Sequence, residues 1–179
     1  MHITAGKFNS RKLISPKGEN VRPTLSKTRS AVFDTLFSII DFENKTFLDL
    51  FAGSGIMGLE AISRGFSSCL AIEKDRKTAL NIKANYELLG LKPNVIQGDS
   101  IKKLEILTQK FDVIYIDPPY FANLYNISLK LILEKNILAE NGIIILEYPQ
   151  SINPNIEGYE IIKQKTYGDK NILFLQQNI

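Results

Sequence analysis

The sequence predicts an α/β fold: a mostly parallel, doubly wound sheet with a C-terminal antiparallel hairpin and a small basic N-terminal extension. Three observations lead there. From Lys45 onward, short β-like runs alternate with helical patterns through five units. A glycine-rich turn follows the first of those runs and opens a helix. The last two β-like runs are joined by Gly168-Asp169, a joint too short for a crossover helix, so they must pair antiparallel.

The elements follow in order. Residues 2–7 and 11–15 are expected to pair as a short hairpin around Asn9-Ser10, and 17–22 to form a loop. Thr24 or Ser26 then caps a helix, because Val32, Phe33, Leu36, Phe37 and Ile40 recur at helical spacing. Strands are expected at 46–51, 69–73, 94–97, 111–116 and 143–148, where β-branched and apolar residues cluster. Helices are expected at 55–64, at 76–89 with Gly90 ending it, at 102–107 and at 123–135. Residues 159–167 and 171–176 are the two closing strands. There is no repeat, low-complexity tract or linker, so residues 1–179 read as a single domain, with a basic extension at 1–30 and a core at 45–179.

Composition narrows the function classes. Hydrophobic residues are 44% and charged residues 23%, the balance of an ordinary globular protein. The longest apolar run, 142–146, is far short of the ~20 residues a membrane helix needs, and the N-terminus lacks a secretory layout. Cytoplasm is therefore the expected compartment. One Cys excludes an intrachain disulfide, and one His beside one Cys argues against a zinc site, so no metal is expected. Oligomeric state is left open, with a monomer as the default. The net charge is only +3, yet its placement is uneven. Before Ala31 seven basic residues face one acid, so that segment carries +6 and the remainder −3. Such a segment is either a solvated lysine-rich surface or a footprint for nucleic-acid phosphates.

The turn after the first strand reads Asp49-Leu50-Phe51-Ala52-Gly53-Ser54-Gly55-Ile56-Met57-Gly58. Its glycines let the backbone turn sharply and bring amide N–H groups close to a ligand. Glu73, twenty residues past Gly53 at the end of the second strand, suits a ribose diol. Taken alone, this also matches a dinucleotide fingerprint. Asp49 tilts the choice, since an acid there favours an ammonium or sulfonium and repels a pyrophosphate. Asp99, in Gly98-Asp99-Ser100 after the third strand, either accepts an adenine amino group or caps the next helix. The candidate cofactor residues are thus Asp49, Phe51, Ala52, Gly53, Ser54, Gly55, Glu73, Asp99 and Ser100.

The fourth strand ends in Asp117-Pro118-Pro119-Tyr120, the candidate catalytic group. Both prolines lack an N–H, which frees nearby carbonyls to face a ligand. The lone pair of an exocyclic base amine is delocalised into its ring. Two acceptors aimed at its N–H bonds, the Asp117 carboxylate and the Pro118 carbonyl, can hold that lone pair toward an electrophilic methyl. Tyr120 can stack on a base taken out of its helix.

These motifs resemble the class I S-adenosylmethionine-dependent methyltransferases, and the whole chain is similar to the bacterial 16S rRNA guanine-N2 methyltransferases of the RsmD type. The resemblance runs through Ile3-Thr4-Ala5-Gly6-Lys7, Arg11-Lys12-Leu13, Arg22-Pro23-Thr24 with Arg29, the glycine loop continuing into Gly58-Leu59-Glu60-Ala61 and Ser63-Arg64-Gly65, Asp117-Pro118-Pro119-Tyr120, and Tyr167-Gly168-Asp169. Ser30 departs from it, standing where a glutamate is expected. The resemblance implies a Rossmann-like class I methyltransferase fold, S-adenosyl-L-methionine as cofactor, and guanine N2 of small-subunit ribosomal RNA as target, presented within a small-subunit particle. It also implies that Lys7, Arg11, Arg22, Thr24 and Arg29 lie beside the active site and grip RNA. Two other classes stay open: an adenine-N6 methyltransferase of DNA or RNA, and a non-catalytic nucleotide-binding assembly factor.

Overall fold

Parallel strands covered on both faces need apolar residues at successive positions. The runs Phe47-Leu48, Val113-Ile114-Tyr115-Ile116 and Ile143-Ile144-Ile145-Leu146 supply them, all buried. The computed structural model describes residues 1–15, 26–119 and 122–178; the expected 17–22 loop, Arg22, Thr24 and Tyr120 lie outside the described residues. In chain order the elements are α1 (Ser26–Phe37), β1 (Thr46–Asp49), α2 (Ile56–Arg64), β2 (Ser68–Glu73), α3 (Arg76–Leu88), β3 (Val95–Gln97), α4 (Ser100–Ile106), β4 (Phe111–Ile116), α5 (Ala122–Lys135), β5 (Leu138–Pro149), β6 (Tyr159–Tyr167) and β7 (Lys170–Gln177). The strands form one sheet in the order β3-β2-β1-β4-β5-β7-β6. β1 to β5 run parallel, and β7 lies antiparallel between β5 and β6.

Strand alternation divides the core in two. Phe47, Val113, Tyr115, Ile143, Ile145, Ile172 and Phe174 face one side, packed with Val32, Phe33 and Leu36 of α1, Leu59 of α2 and Ile82 of α3. Leu48, Ile114, Ile116, Ile144, Leu146, Leu173 and Leu175 face the other, packed with Leu104 of α4 and Tyr125, Leu129 and Ile132 of α5. Among the described residues, no helix is long and apolar enough to cross a membrane.

From β1 the chain steps outward to β2 and β3, then returns to lay β4 on the other side of β1. At such a reversal the connections leave in opposite directions, and a crevice opens beyond the strands' carboxyl ends. The turn after β1 and the loop after β4 both border that crevice. Their strands pair directly, with Asp49 opposite Tyr115 and Leu50 N–H donating to the Tyr115 carbonyl at 3.1 Å.

Several elements differ from expectation. The N-terminal hairpin is reduced to one antiparallel bridge, His2 with Lys12, because 7–10 is taken up by turns. β1 stops at Asp49, where the glycine turn begins. α4 starts at Ser100 because Asp99 caps it. β5 begins at Leu138, five residues early, with a register shift opposite Phe111 and Val113 that accommodates Asn141 at φ 58°. Phe37 ends α1 at 65% exposure instead of packing into the core, and Ile40 packs against the core from beyond the helix.

Candidate active site

The glycine turn is shaped by close packing. Gly55, in the left-handed region at φ 74°, sits where a Cβ would lie 2.7 Å from Ile82. A Cβ on Gly58 would meet Cys69 Sγ at 2.5 Å, so glycine there lets α2 lie directly on β2, with buried Cys69 filling the space. Asp49 is 1% exposed; its Oδ2 accepts from the Gly58 N–H at 3.2 Å, whereas buried Oδ1 has no hydrogen-bond partner among the described residues. Burial, with Glu73 and Asp117 nearby, pushes Asp49 up to about 7 against the pull of the Gly58 N–H.

Across the turn, Glu73 accepts from the Gly53 N–H at 2.7 Å and from the Asp75 N–H at 2.8 Å. Burial raises its carboxyl above the ordinary range despite both bonds. Ala52 N–H donates to the Ile72 carbonyl at 2.9 Å, tying the turn to β2; Ser54 is buried and Phe51 half-buried. Asp99 caps α4, its Oδ1 accepting from Ile101 and Lys102 N–H groups, while Oδ2 lies 3.5 Å from Lys74 Nζ. The Lys102 N–H and then Lys74 hold its carboxyl below the ordinary value. Ser100 is buried in the first turn of α4. Three strand ends therefore present Asp49, Glu73 and Asp99 along one rim.

Asp117 stands one residue beyond β4, followed by buried Pro118 and exposed Pro119. By strand alternation it projects to the same face as Tyr115, as do Asp49 on β1 and Glu147 on β5. Lys170, at the start of β7, shares the side of Ile172 and Phe174 and completes this row. Its Nζ lies 3.3 Å from Asp117 Oδ2 and contacts Glu147 Oε1. Glu147 is 1% exposed and accepts from the Tyr115 hydroxyl at 2.5 Å. Burial pushes Asp117 up to about 7; Glu147 adds to that and Lys170 opposes it.

The family model described as Conserved hypothetical protein 95 matches residues 1–176. Ribosomal RNA small subunit methyltransferase D of Haemophilus influenzae is 32% identical, over 94% of this chain and 89% of its own. This chain belongs to the ribosomal RNA small subunit methyltransferase D family. YlbH of Bacillus subtilis is 33% identical, over 94% of each chain. The solved structure of yhhF from Escherichia coli superposes with a TM-score of 0.89 at 25% identity, covering 99% of this chain and 97% of that one. The fold is accordingly the Rossmann-like class I methyltransferase fold.

Within this member of the family, the N-terminal extension is clamped onto α2. Glu60, fully buried, accepts from Thr4 N–H and Oγ1, Ala5 N–H, Arg29 Nε and Arg64 Nε. Arg29 Nη2 also donates to the His2 carbonyl at 2.7 Å. Burial alone would raise Glu60, but the Thr4 and Arg64 hydrogen bonds and the Arg29 charge bring it below the ordinary carboxylate value. This corrects one expectation: Arg29 is 1% exposed and engaged with Glu60, so it braces the extension instead of gripping phosphate. Lys7 and Arg11 are exposed. Lys7 N–H is bound to the Ser63 carbonyl near the far end of α2, about 10 Å along the axis from the glycine turn, so it does not lie beside the crevice. Ser30 accepts from Arg64 Nη2 and donates to Asp34.

Glu60, Glu147 and Lys170 were not marked as site residues by the sequence motifs. A signal existed for two of them. Glu60 is a lone acid within the apolar stretch of α2, and Lys170 stands in step with the inward-facing Ile172 and Phe174.

Proposed function

We propose that this chain transfers a methyl group from S-adenosyl-L-methionine to the exocyclic N2 of a guanine in small-subunit ribosomal RNA, within a small-subunit particle. The observation that carries this reading is the meeting of two acids, buried Asp49 and half-buried Asp117, from paired strands at the switch point of the sheet. When bound, the cofactor supplies an electrophilic methyl on a sulfonium.

The residues present fit that group. Asp49 Oδ1, buried and unpartnered among the described residues, suits the methionine ammonium. Glu73 retains acceptor capacity for the ribose diol, and Asp99 Oδ2, 3.5 Å from Lys74 Nζ, keeps acceptor capacity for an adenine amino group while Oδ1 caps α4. Phe51, Ala52, Gly53, Ser54, Gly55 and Ser100 line the same turn and rim. A dinucleotide is disfavoured, because the acid beneath the turn repels a pyrophosphate.

On the acceptor side, Asp117 and the Pro118 carbonyl take the two N–H bonds of the base amine and leave its lone pair directed at the methyl. Tyr120 is assigned to stack on the base. Orientation and local charge then do most of the work. With its carboxyl pushed up to about 7, Asp117 can also take the surplus amine proton near neutral pH.

The test is transfer of labelled methyl to small-subunit particles from a strain lacking the enzyme, followed by nucleoside analysis. N2-methylguanosine is the expected product. N6-methyladenosine would move the reading to the adenine class, and failure to bind S-adenosylhomocysteine would overturn the cofactor assignment.

A further inference from the structure

The β6–β7 hairpin delivers a cation to a site built by strands β1 and β4. Lys170 opens β7, which runs antiparallel to β5, so its Cα pairs with Pro149 at the carboxyl end of β5. From there its side chain, 18% exposed, reaches back over β5 to Glu147 and Asp117. Glu147 is fixed in turn by the Tyr115 hydroxyl. The sheet order places Lys170 on the side of Asp117 away from the glycine turn. A cation there acts on Asp117 without occupying the ground of a sulfonium bound near Asp49.

We propose that Lys170 is a positioning residue of the methyl-acceptor site, its ammonium anchored on Glu147, favouring the ionised Asp117 carboxylate and turning it toward the rim. This rests on the methyl-transfer reading above. The chemistry requires it to be so. A protonated Asp117 presents one O–H donor and one fewer acceptor, and it can no longer take a proton from the amine. Among the described residues, the groups facing Asp117 are Asp49 from β1, Tyr115 from its own strand, Glu147 from β5 and Lys170 from β7. Of these four only Lys170 is cationic. Burial and Glu147 both push the Asp117 carboxyl upward, and Lys170 is the group that opposes them. Its distances to the two Asp117 oxygens, 3.3 and 3.5 Å, are long enough to leave those oxygens room for an amine.

The experiment compares wild type with Lys170→Met, Lys170→Gln and Lys170→Arg. It records kcat and KM for S-adenosylmethionine against pH, with S-adenosylhomocysteine affinity and thermal unfolding on the same preparations. The glutamine variant keeps a donor for buried Glu147, so it folds even if the methionine variant leaves that carboxylate too costly. Both neutral variants are expected to lose about fivefold in kcat at pH 7 and to move the acid limb of the profile up by about one pH unit. Cofactor KM should stay within about twofold, and Lys170→Arg should restore the wild-type limb. A ¹³C-carboxyl titration of Asp117 by NMR should show the same upward movement without turnover. Neutral variants with wild-type kcat, limb and titration overturn the proposal, while Asp117→Asn remaining inactive would keep the methyl-transfer reading intact. If wild type transfers no methyl at all, that reading falls and Lys170 with it as a positioning residue, even where the NMR coupling persists.

Discussion

Asp49 is the residue at which burial and function pull hardest against each other. Its carboxyl lies at about 7 in the folded chain, above the ordinary 3.8. The ligand-free fold therefore binds a proton that the unfolded chain has released. The resulting stability is whole below about 3.8 and is lost as pH rises through about 7, with Asp117 contributing in the same sense. Asp49→Asn should flatten part of that decline in a thermal-unfolding series across pH. A ligand ammonium beside Oδ1 favours the ionised form, so binding near pH 7 should release up to about half a proton and affinity should rise with pH. Calorimetry with S-adenosylhomocysteine in buffers of different ionisation enthalpy reads that release directly. In the Asp49→Asn variant the release should vanish and affinity fall roughly 10- to 100-fold, the worth of one charge-assisted hydrogen bond. Asp117→Ala should behave in the opposite way. Transfer should fall by roughly 10²-fold or more while S-adenosylhomocysteine affinity is kept, because its partner is the target amine. Wild-type turnover in that variant would remove Asp117 from the chemistry.

The contact between α2 and the N-terminal extension makes a different kind of demand. Glu60 satisfies five donors from Thr4, Ala5, Arg29 and Arg64, with no exposure to water. Removing Arg29 takes away one of the two cations on Glu60 and leaves Arg64 as its counter-charge. Arg29→Met should therefore cost about 1.5–3 kcal/mol in denaturant unfolding, the worth of a hydrogen bond to a charged group, whereas exposed Lys7→Ala should cost little. The βα alternation was legible in the sequence because each strand and helix buries a face of its own period. The glycine turn and the double-proline loop were legible because backbone geometry and the loss of an N–H restrict which residues serve there. The purpose of Arg29 was not, since a basic residue on an amphipathic helix reads as solvent-facing until its carboxylate partner, 31 positions away, is placed beside it. Lys170 was hidden for the same reason: its partners Glu147 and Asp117 lie on other strands, and only the register of β7 against β5 brings them together. The early start of β5 was masked by Glu140-Asn141, polar residues that a register shift tolerates.

At the scale of the molecule, the segment before Ala31 carries +6 and the remainder −3, and among its described basic residues Lys7 and Arg11 are exposed while Arg29 is buried. Lys7 is held near the far end of α2, about 10 Å along the helix from the glycine turn, by backbone bonds to Ser63 and by the close approach of Gly6 to the Ser63 carbonyl. A cation at that distance cannot assist a methyl transfer, but it can neutralise a phosphate on an RNA whose target base is in the crevice. Charge reversal at Lys7 and Arg11 together should then weaken binding to small-subunit RNA and shallow the plot of log affinity against log salt, by about 0.7 to 0.9 for each phosphate no longer neutralised. At saturating RNA, kcat should be close to wild type, and S-adenosylhomocysteine affinity unchanged. Binding that keeps its full salt slope would show that the extension's charge is solvated surface. A fall in kcat at saturation would instead mean that the extension reaches the rim when RNA is bound, through a rearrangement of its clamp on α2.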